Sequence, residues 1–391
     1  MGVQFFTNGE SDRKVKMSEF KEQIPAAGGK VEFLYQAERG VIATRISGPN
    51  LRATYFVSVS LSGRQLLAVV PACGLGQIMV YPQPSVLTYI QSDEQGMWGR
   101  NCPRCEKYFR TNHVAGDTCC PYCAAGASSL DFISKAQHTY IQAFYDAWAR
   151  AHLLKTNTSL DVAAITDQTP AWHYSEEKQQ VHFKCDTPDC HTETDMLGNG
   201  YGYCPRCGRT TARKLFTDFM DEMLSRLETI QKTVSDEKER GTVWEEMTVK
   251  SVTKFEALAT HLRRRLLCLP MTPRRRKQLE ALSFQSPLQA DKSLVEWFDI
   301  SVLEWVGNDI TPKRKVPTDA TFITKMLQKR HLLIHTEGVV DQNYIDRSGD
   351  TDVRLDERIR VRSHEVRRFV ETVRVMGLNL LDNLEHLFIE R

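Results

Sequence analysis

Apolar and polar residues alternate with a period of two near the start of the chain. Val31, Phe33 and Tyr35 are separated by polar or smaller neighbours, and Tyr55, Val57, Val59 and Leu61 repeat the pattern. That period belongs to half-buried strands. Ser62-Gly63 offers a hairpin turn into a further strand over Gln65 to Val70. A small β-rich domain is therefore expected within residues 1–98, its strands preceded over residues 1–30 by a poorly ordered lead-in or a short helix from Met17 to Ile24. It carries no phosphate-cradling loop, acidic dyad or nucleophile elbow, so its chemistry is not legible.

The period then lengthens to that of a helix. Ile133, Ala136, Tyr140, Ile141, Phe144 and Trp148 predict an amphipathic helix over 131–154, its aromatic stripe assigned to a core, followed by loop or short strands over 155–181. From Ala212 onward the helical period dominates. Phe216, Phe219, Met220, Met223, Leu227, Ile230 and Val234 make one stripe. Met247, Phe255, Leu258, Leu262 and Leu266 make a second, on a helix expected from Val243 to Leu269 and stopped by Pro270 and Pro273. Ser286-Pro287 starts a third helix ending near Gly307, and a basic loop from Asn308 to Pro317 follows. Thr318 or Asp319 caps a fourth, residues 339–362 form a loop or small β-excursion, and Ser363 with Glu365 opens a last helix. The expected fold is multidomain α+β, ending in an antiparallel helical bundle over 212–391.

Cysteine spacing changes this picture between the two halves. Cys102-Pro-Arg-Cys105 is followed by Cys120-Pro-Tyr-Cys123, and Cys185-x4-Cys190 by Cys204-Pro-Arg-Cys207. Each pair makes a tight turn that brings two thiolates together, and two turns supply a tetrahedral S4 site. Cys-Pro-Tyr-Cys alone is similar to a glutaredoxin motif, but a redox motif needs no partner pair. Both sets resemble zinc ribbons, implying structural Zn2+ at two sites within 99–211, the predicted helix linking them. Cys119 competes with Cys120 as ligand, and His113 is read as a loop residue. Asn199-Gly200 and Gly202 suit the hairpin turn of the second ribbon.

Bulk composition adds little. The chain has 391 residues, 26% charged and 41% hydrophobic, with a formal net charge of +2, so local clusters must carry any argument about partners. The polar N-terminus lacks the apolar core of a signal peptide, and Leu66 to Gly76 is too short to span a bilayer. A cytoplasmic protein without a membrane partner is expected, where paired cysteines mean metal before disulfide. Cys73, Cys119 and Cys268 remain as buried thiols. Arg263, Arg264, Arg265, Arg274, Arg275, Arg276 and Lys277 form a basic run without an acid, read as a helix end and loop able to track a nucleic-acid backbone; Lys313, Arg314 and Lys315 make a second.

The candidate chemistry lies in Arg330-His331-Leu332-Leu333-Ile334-His335, continuing Thr336-Glu337-Gly338-Val339-Val340-Asp341-Gln342-Asn343-Tyr344. His331 and His335 share a helix face, whereas Arg330 and His335 diverge by about 140°. The latter two are expected to converge only where the helix loosens or where two chains meet. Gly338 suggests a helix end close by, and a histidine there feels the negative end of the helix dipole. A zinc-protease helix is excluded, because the Glu it requires beside the first His is Leu332. A second reading has these groups simply solvating a helix end, with Leu332, Leu333 and Ile334 packing inward.

A third reading takes in the context. The Arg-x4-His spacing, the apolar triplet, the Val-Asp-x-x-Tyr tail and the place in a helical bundle resemble the HEPN superfamily. The resemblance covers residues 240–391. It implies a dimeric helical bundle whose facing Arg-x4-His motifs cleave RNA without metal, leaving 2′,3′-cyclic phosphate ends. It also implies catalytic roles for Arg330, His331 and His335, and a setting in prokaryotic antiviral defence or as a toxin. The expected partners are RNA, a second copy of the chain, and a trigger sensed by the N-terminal part. Two alternatives come from other classes: a catalytically silent adaptor that binds protein or nucleic acid, and a DNA-binding factor. Glu296 and Glu304, on the preceding helix, are candidates to orient a histidine or else a solvated face.

Overall fold

The computed structural model describes residues 30–47, 54–63, 65–71, 80–92, 96–166, 180–197, 200–304 and 320–389. The expected Met17 to Ile24 helix, the Asn308 to Pro317 loop and the caps at Thr318 or Asp319 lie outside them. The chain, of mixed α+β architecture, divides between Thr211 and Ala212 into two compact units, the first α+β and the second helical.

In the first unit, β1 (Lys30–Gln36) and β2 (Val41–Ser47) pair antiparallel, with Val31 opposite Ile46 and Phe33 opposite Thr44. Strands β3 (Thr54–Ser60), β4 (Leu66–Pro71) and β5 (Ser85–Gln91) form a second sheet in the order β4-β3-β5, Tyr55 facing Ile90 and Val59 facing Val86. Most of the alternating apolar positions are buried: Val31, Phe33, Tyr55, Val57 and Val59 are at most 1% exposed, whereas Tyr35 is only partly buried and Leu61, past the end of β3, is 50% exposed. Four short strands follow: β6 (Trp98–Asn101), β7 (Tyr108–Thr111), β8 (Asp117–Cys119) and β9 (Gly126–Ser128).

Helix α1 (Lys135–Leu154) opens on a capping box in which Ser134 and Gln137 satisfy each other's backbone amides. Its aromatic stripe packs into the β-rich core. Phe144 meets Phe33 and Tyr89 edge-on, with ring centroids 4.8 Å and 5.5 Å apart. Beyond it, β10 (Thr158–Asp161) returns to pair with β1, Leu160 opposite Val31, and α2 (Val162–Thr166) covers the end. The expected linking helix is thus the centre of the β-rich core, because Ala136, Tyr140, Ile141 and Phe144 find their apolar partners on β1 and β5. Strands β11 (Gln180–Lys184) and β12 (Glu193–Leu197) then join the earlier pair in a four-stranded sheet, β11-β12-β7-β6.

The second unit is built on three long helices: α3 (Ala212–Thr233), α4 (Glu237–Leu266) and α9 (Ser363–Ile389). Phe216 of α3 lies so close to α9 that a Cβ on Gly377 would come within 2.2 Å of its ring. Helix α4 starts earlier than the apolar stripe indicated, because Asp236 caps the amides of Lys238 and Glu239. It also ends earlier, at Leu266. Pro273 begins α5 (Pro273–Ala281) behind the Thr272 cap, so Arg274, Arg275, Arg276 and Lys277 stand on a short helix and not on a loop. Helix α6 (Pro287–Phe298) stops at Asp299, which adopts a left-handed conformation, well short of Gly307; Glu304 therefore lies beyond it. Helices α7 (Ala320–His335) and α8 (Gln342–Ser348) carry the candidate stretch and its tail. The expected loop or β-excursion over 339–362 contains α8 and one antiparallel bridge, Val339 to Arg358. Among the described residues no helix is long and apolar enough to cross a membrane.

Candidate functional site and tetracysteine centres

The four cysteine pairs fold locally in one way. After the second cysteine of each pair stands a residue with positive φ: Glu106, Ala124, His191 and Gly208. In the three two-residue pairs that residue donates its amide to the first cysteine's carbonyl at 2.9 Å, from Glu106 to Cys102, Ala124 to Cys120 and Gly208 to Cys204. The wider pair closes through the Cys190 amide on the Thr187 carbonyl, with Asp189 also at positive φ.

The turns bring the sulfurs together as Cys102, Cys105, Cys120 and Cys123, and as Cys185, Cys190, Cys204 and Cys207. Sγ–Sγ separations are 3.6 Å for Cys102–Cys123, 3.7 Å for Cys105–Cys120, 3.6 Å for Cys185–Cys207 and 3.5 Å for Cys190–Cys204. A tetrahedron with metal–sulfur bonds of about 2.3 Å has edges of about 3.8 Å, so both clusters are compatible with zinc. Backbone amides of Arg104, Cys105 and Tyr122 point at these sulfurs from 3.4 Å. Hydrogen bonds from neighbouring thiols, Cys105 first, hold Cys102 below its ordinary range, while burial pushes Cys120 up.

Cys119 is outside the cluster: its sulfur faces the Cys120 carbonyl, and its amide donates to the Pro205 carbonyl at 2.7 Å. The Tyr203 amide reciprocates on the Pro121 carbonyl at 3.1 Å. Equivalent positions of the two tetracysteine modules thus bond to each other. The same holds in the sheet, where Arg110, five residues past Cys105, pairs with Asp195, five past Cys190. The Arg110 guanidinium meets the Asp195 carboxylate at 2.7 Å with both side chains 2% exposed, and His182 Nδ1 takes the other carboxylate oxygen at 2.7 Å. The two tetracysteine modules are joined across this sheet by a buried ion pair. His113 bonds the Asp117 carbonyl and is no ligand.

In the second unit α7 remains helical through His335. Its end is set by consecutive positive φ at Glu337 and Gly338, with the Gly338 amide returning to the Leu332 carbonyl at 3.0 Å. Leu332 is buried, and buried Lys329 ties the helix to Glu365 at 2.9 Å and to the Arg360 carbonyl. His331 and His335 are exposed with ring centroids 4.5 Å apart. Arg330 turns toward α4, meeting Glu256 at 2.8 Å. Burial pushes the Glu256 carboxyl up, and the adjacent guanidinium opposes that shift.

These side chains meet in one place. A hollow of about 340 Å³ is lined by Arg330, His331, His335 and Arg347, beside Ser286 and Ile334. Arg330 and His335 therefore both line one hollow on an unbroken helix, with the Arg330 guanidinium held on Glu256. Glu296 and Glu304 are not among its lining residues. Sequence reasoning missed Arg347. The Val-Asp-x-x-Tyr tail holds it in place: Asp341 caps α8 through the Tyr344 amide, and Tyr344 Oη bonds Asp350, itself paired with Lys325 at 2.8 Å.

The basic run is divided in its roles. Arg263 spends its guanidinium on the Glu280 and Leu282 carbonyls and Arg276 on that of Leu267, whereas Arg274, Arg275 and Lys277 are exposed. The chain matches no protein-family model, no curated protein and no solved structure.

Proposed function

We propose that the chain is a metal-independent endoribonuclease of the HEPN type, acting as a homodimer, with two structural zinc ribbons in its N-terminal unit. One observation carries the reading: Arg330, His331 and His335 line a single hollow at the end of α7. The reaction is attack of a ribose 2′-oxygen on its own 3′-phosphorus. The P–O2′ bond forms and the P–O5′ bond breaks. The 2′-hydroxyl proton goes to a basic imidazole, and the 5′-oxygen takes a proton from an acidic one, leaving a 2′,3′-cyclic phosphate and a 5′-hydroxyl. Attacking and leaving oxygens lie roughly in line on opposite sides of phosphorus. His331 and His335 stand side by side on one helix, 4.5 Å apart, so base and acid on opposite sides call for His335 from each of two protomers. His331 then orients its neighbour, and Arg330, braced by Glu256, faces the charge that builds on the non-bridging oxygens.

The zinc ribbons leave this chemistry alone. Four thiolates close each tetrahedron, with no coordination position for a substrate. The N-terminal unit is assigned the sensing of a trigger, and the whole protein a role in prokaryotic antiviral defence or as a toxin. The test is incubation of the full chain with RNA in EDTA. Cleavage that is lost in both Arg330→Ala and His335→Ala supports the reading. Cleavage that survives in both, or RNA binding without cleavage, leaves the silent adaptor.

A further inference from the structure

The arginine that the motif supplies is not the best-placed cation of the hollow. Arg330 is 13% exposed in its side chain and already faces a carboxylate at 2.8 Å, so much of its charge is answered within the protein. Arg347 is exposed on the rim of the same hollow. An arginine in the last turn of a helix commonly does no more than answer the helix dipole. Here, however, α8 is fixed from three sides, by the Asp341 cap, the Tyr344–Asp350 hydrogen bond and the Lys325–Asp350 ion pair. A surface turn with no task needs no such bracing.

The start of α6 lines the same hollow. Ser286 is the N-cap residue, yet its side chain makes no capping hydrogen bond. Pro287 has no amide hydrogen, and Gln289 and Ala290 donate to the Ser286 carbonyl. The Leu288 amide is left as the donor of that first turn with no acceptor inside the helix. Both Ser286 and Leu288 line the hollow. Residues bearing an exposed guanidinium, a hydroxyl without a capping bond and a first-turn amide with no acceptor inside the helix thus line one hollow with two imidazoles, Leu327 and Ile334. That donor set recognises a phosphate monoanion or diester.

We propose that Arg347 and the N-terminus of α6 form a phosphate subsite of single-stranded RNA, distinct from the position faced by Arg330, that holds a neighbouring phosphate of the strand. This rests on the nuclease reading for the identity of the strand, but not for the subsite itself. Arg347 is a binding residue here. Its loss weakens the hold on the strand and leaves Arg330 and the imidazoles in place.

The experiment uses the full chain and a fluorescently labelled single-stranded oligonucleotide, 2′-O-methylated throughout so that no internal nucleophile exists. Anisotropy is read across a salt series for wild type, Arg347→Ala, Arg347→Lys and Ser286→Ala, with ordinary RNA assayed for cleavage alongside. Arg347→Ala is expected to weaken binding about tenfold and to reduce the log–log salt slope by about 0.7, the value of one phosphate contact on a single strand. Arg347→Lys is expected to restore the slope. Unchanged melting temperatures of the variants confirm that folding is not the cause. Binding that is equal in wild type and Arg347→Ala, or no binding by wild type, overturns the subsite. Cleavage accompanied by Arg347-independent binding removes the subsite and keeps the nuclease. Arg347-dependent binding without cleavage keeps the subsite and removes the nuclease.

Discussion

Removing the carboxylate of Asp195 tests how the two tetracysteine modules are held together. Its oxygens serve Arg110 and His182, each at 2.7 Å, and both Arg110 and Asp195 are 2% exposed in their side chains. Asp195→Ala leaves a guanidinium in the interior without that carboxylate, a change that costs about 3–5 kcal/mol. His182 adds little, because at 35% exposure water replaces its lost partner. For a unit of this size each kcal/mol moves the midpoint by about 2–4 °C, so the first unit should melt roughly 6–20 °C lower. Asp195→Asn keeps an acceptor and loses only the charge, so it falls between. The double variant Arg110→Met, Asp195→Leu removes both charges and should recover most of the loss. Thermal and denaturant unfolding of the full chain at constant zinc would measure this. The reasoning is refuted if Asp195→Ala stays within about 1 kcal/mol of wild type, or if the double variant is as unstable as the single.

Two further outcomes follow from the same geometry. Metal analysis should give about two zinc per chain in wild type and in Cys119→Ser, but a loss at the first site in Cys120→Ser; equal metal content in the two variants contradicts the ligand assignment. Burial, with Arg264 and Arg265 adding to it, pushes the His261 imidazole down to about 3. The folded value lies below the unfolded one of about 6.5, so His261 lowers stability as pH falls from about 6.5 toward 3, where only the unfolded chain takes the proton. Replacing His261 with Gln should flatten that part of the pH–stability curve of the helical unit, and an unchanged slope would refute it.

Local signals were read correctly where the local chain decides the structure. The alternation at Val31 and Phe33, the Ser286-Pro287 helix start and the tight cysteine pairs all depend on residues within a few positions of one another. Long-range pairing left no such trace. Nothing around Ile133 to Trp148 announces that β10 will return to β1 and enclose that helix in a β core. Arg110 and Asp195 stand 85 positions apart and meet only because β7 and β12 pair. Helix ends were missed where a polar cap lay outside the apolar stripe, as at Asp236 and Thr272. At the candidate site, the shared face of His331 and His335 was legible from their spacing of four. The inward turn of Arg330 was not, because Glu256 belongs to another helix. Arg347 had only the Val-Asp-x-x-Tyr tail as a signal, which marks a braced turn once Tyr344 is seen to bond Asp350.

The most direct test of the central claim is chemical and needs no variant. RNA carrying a single 2′-deoxy residue at an otherwise preferred cleavage position is incubated with the full chain in EDTA, and the product ends are determined. The account predicts 2′,3′-cyclic phosphate ends at every cut and no cut at the deoxy position. Cleavage at the deoxy linkage, or 5′-phosphate ends, would contradict it.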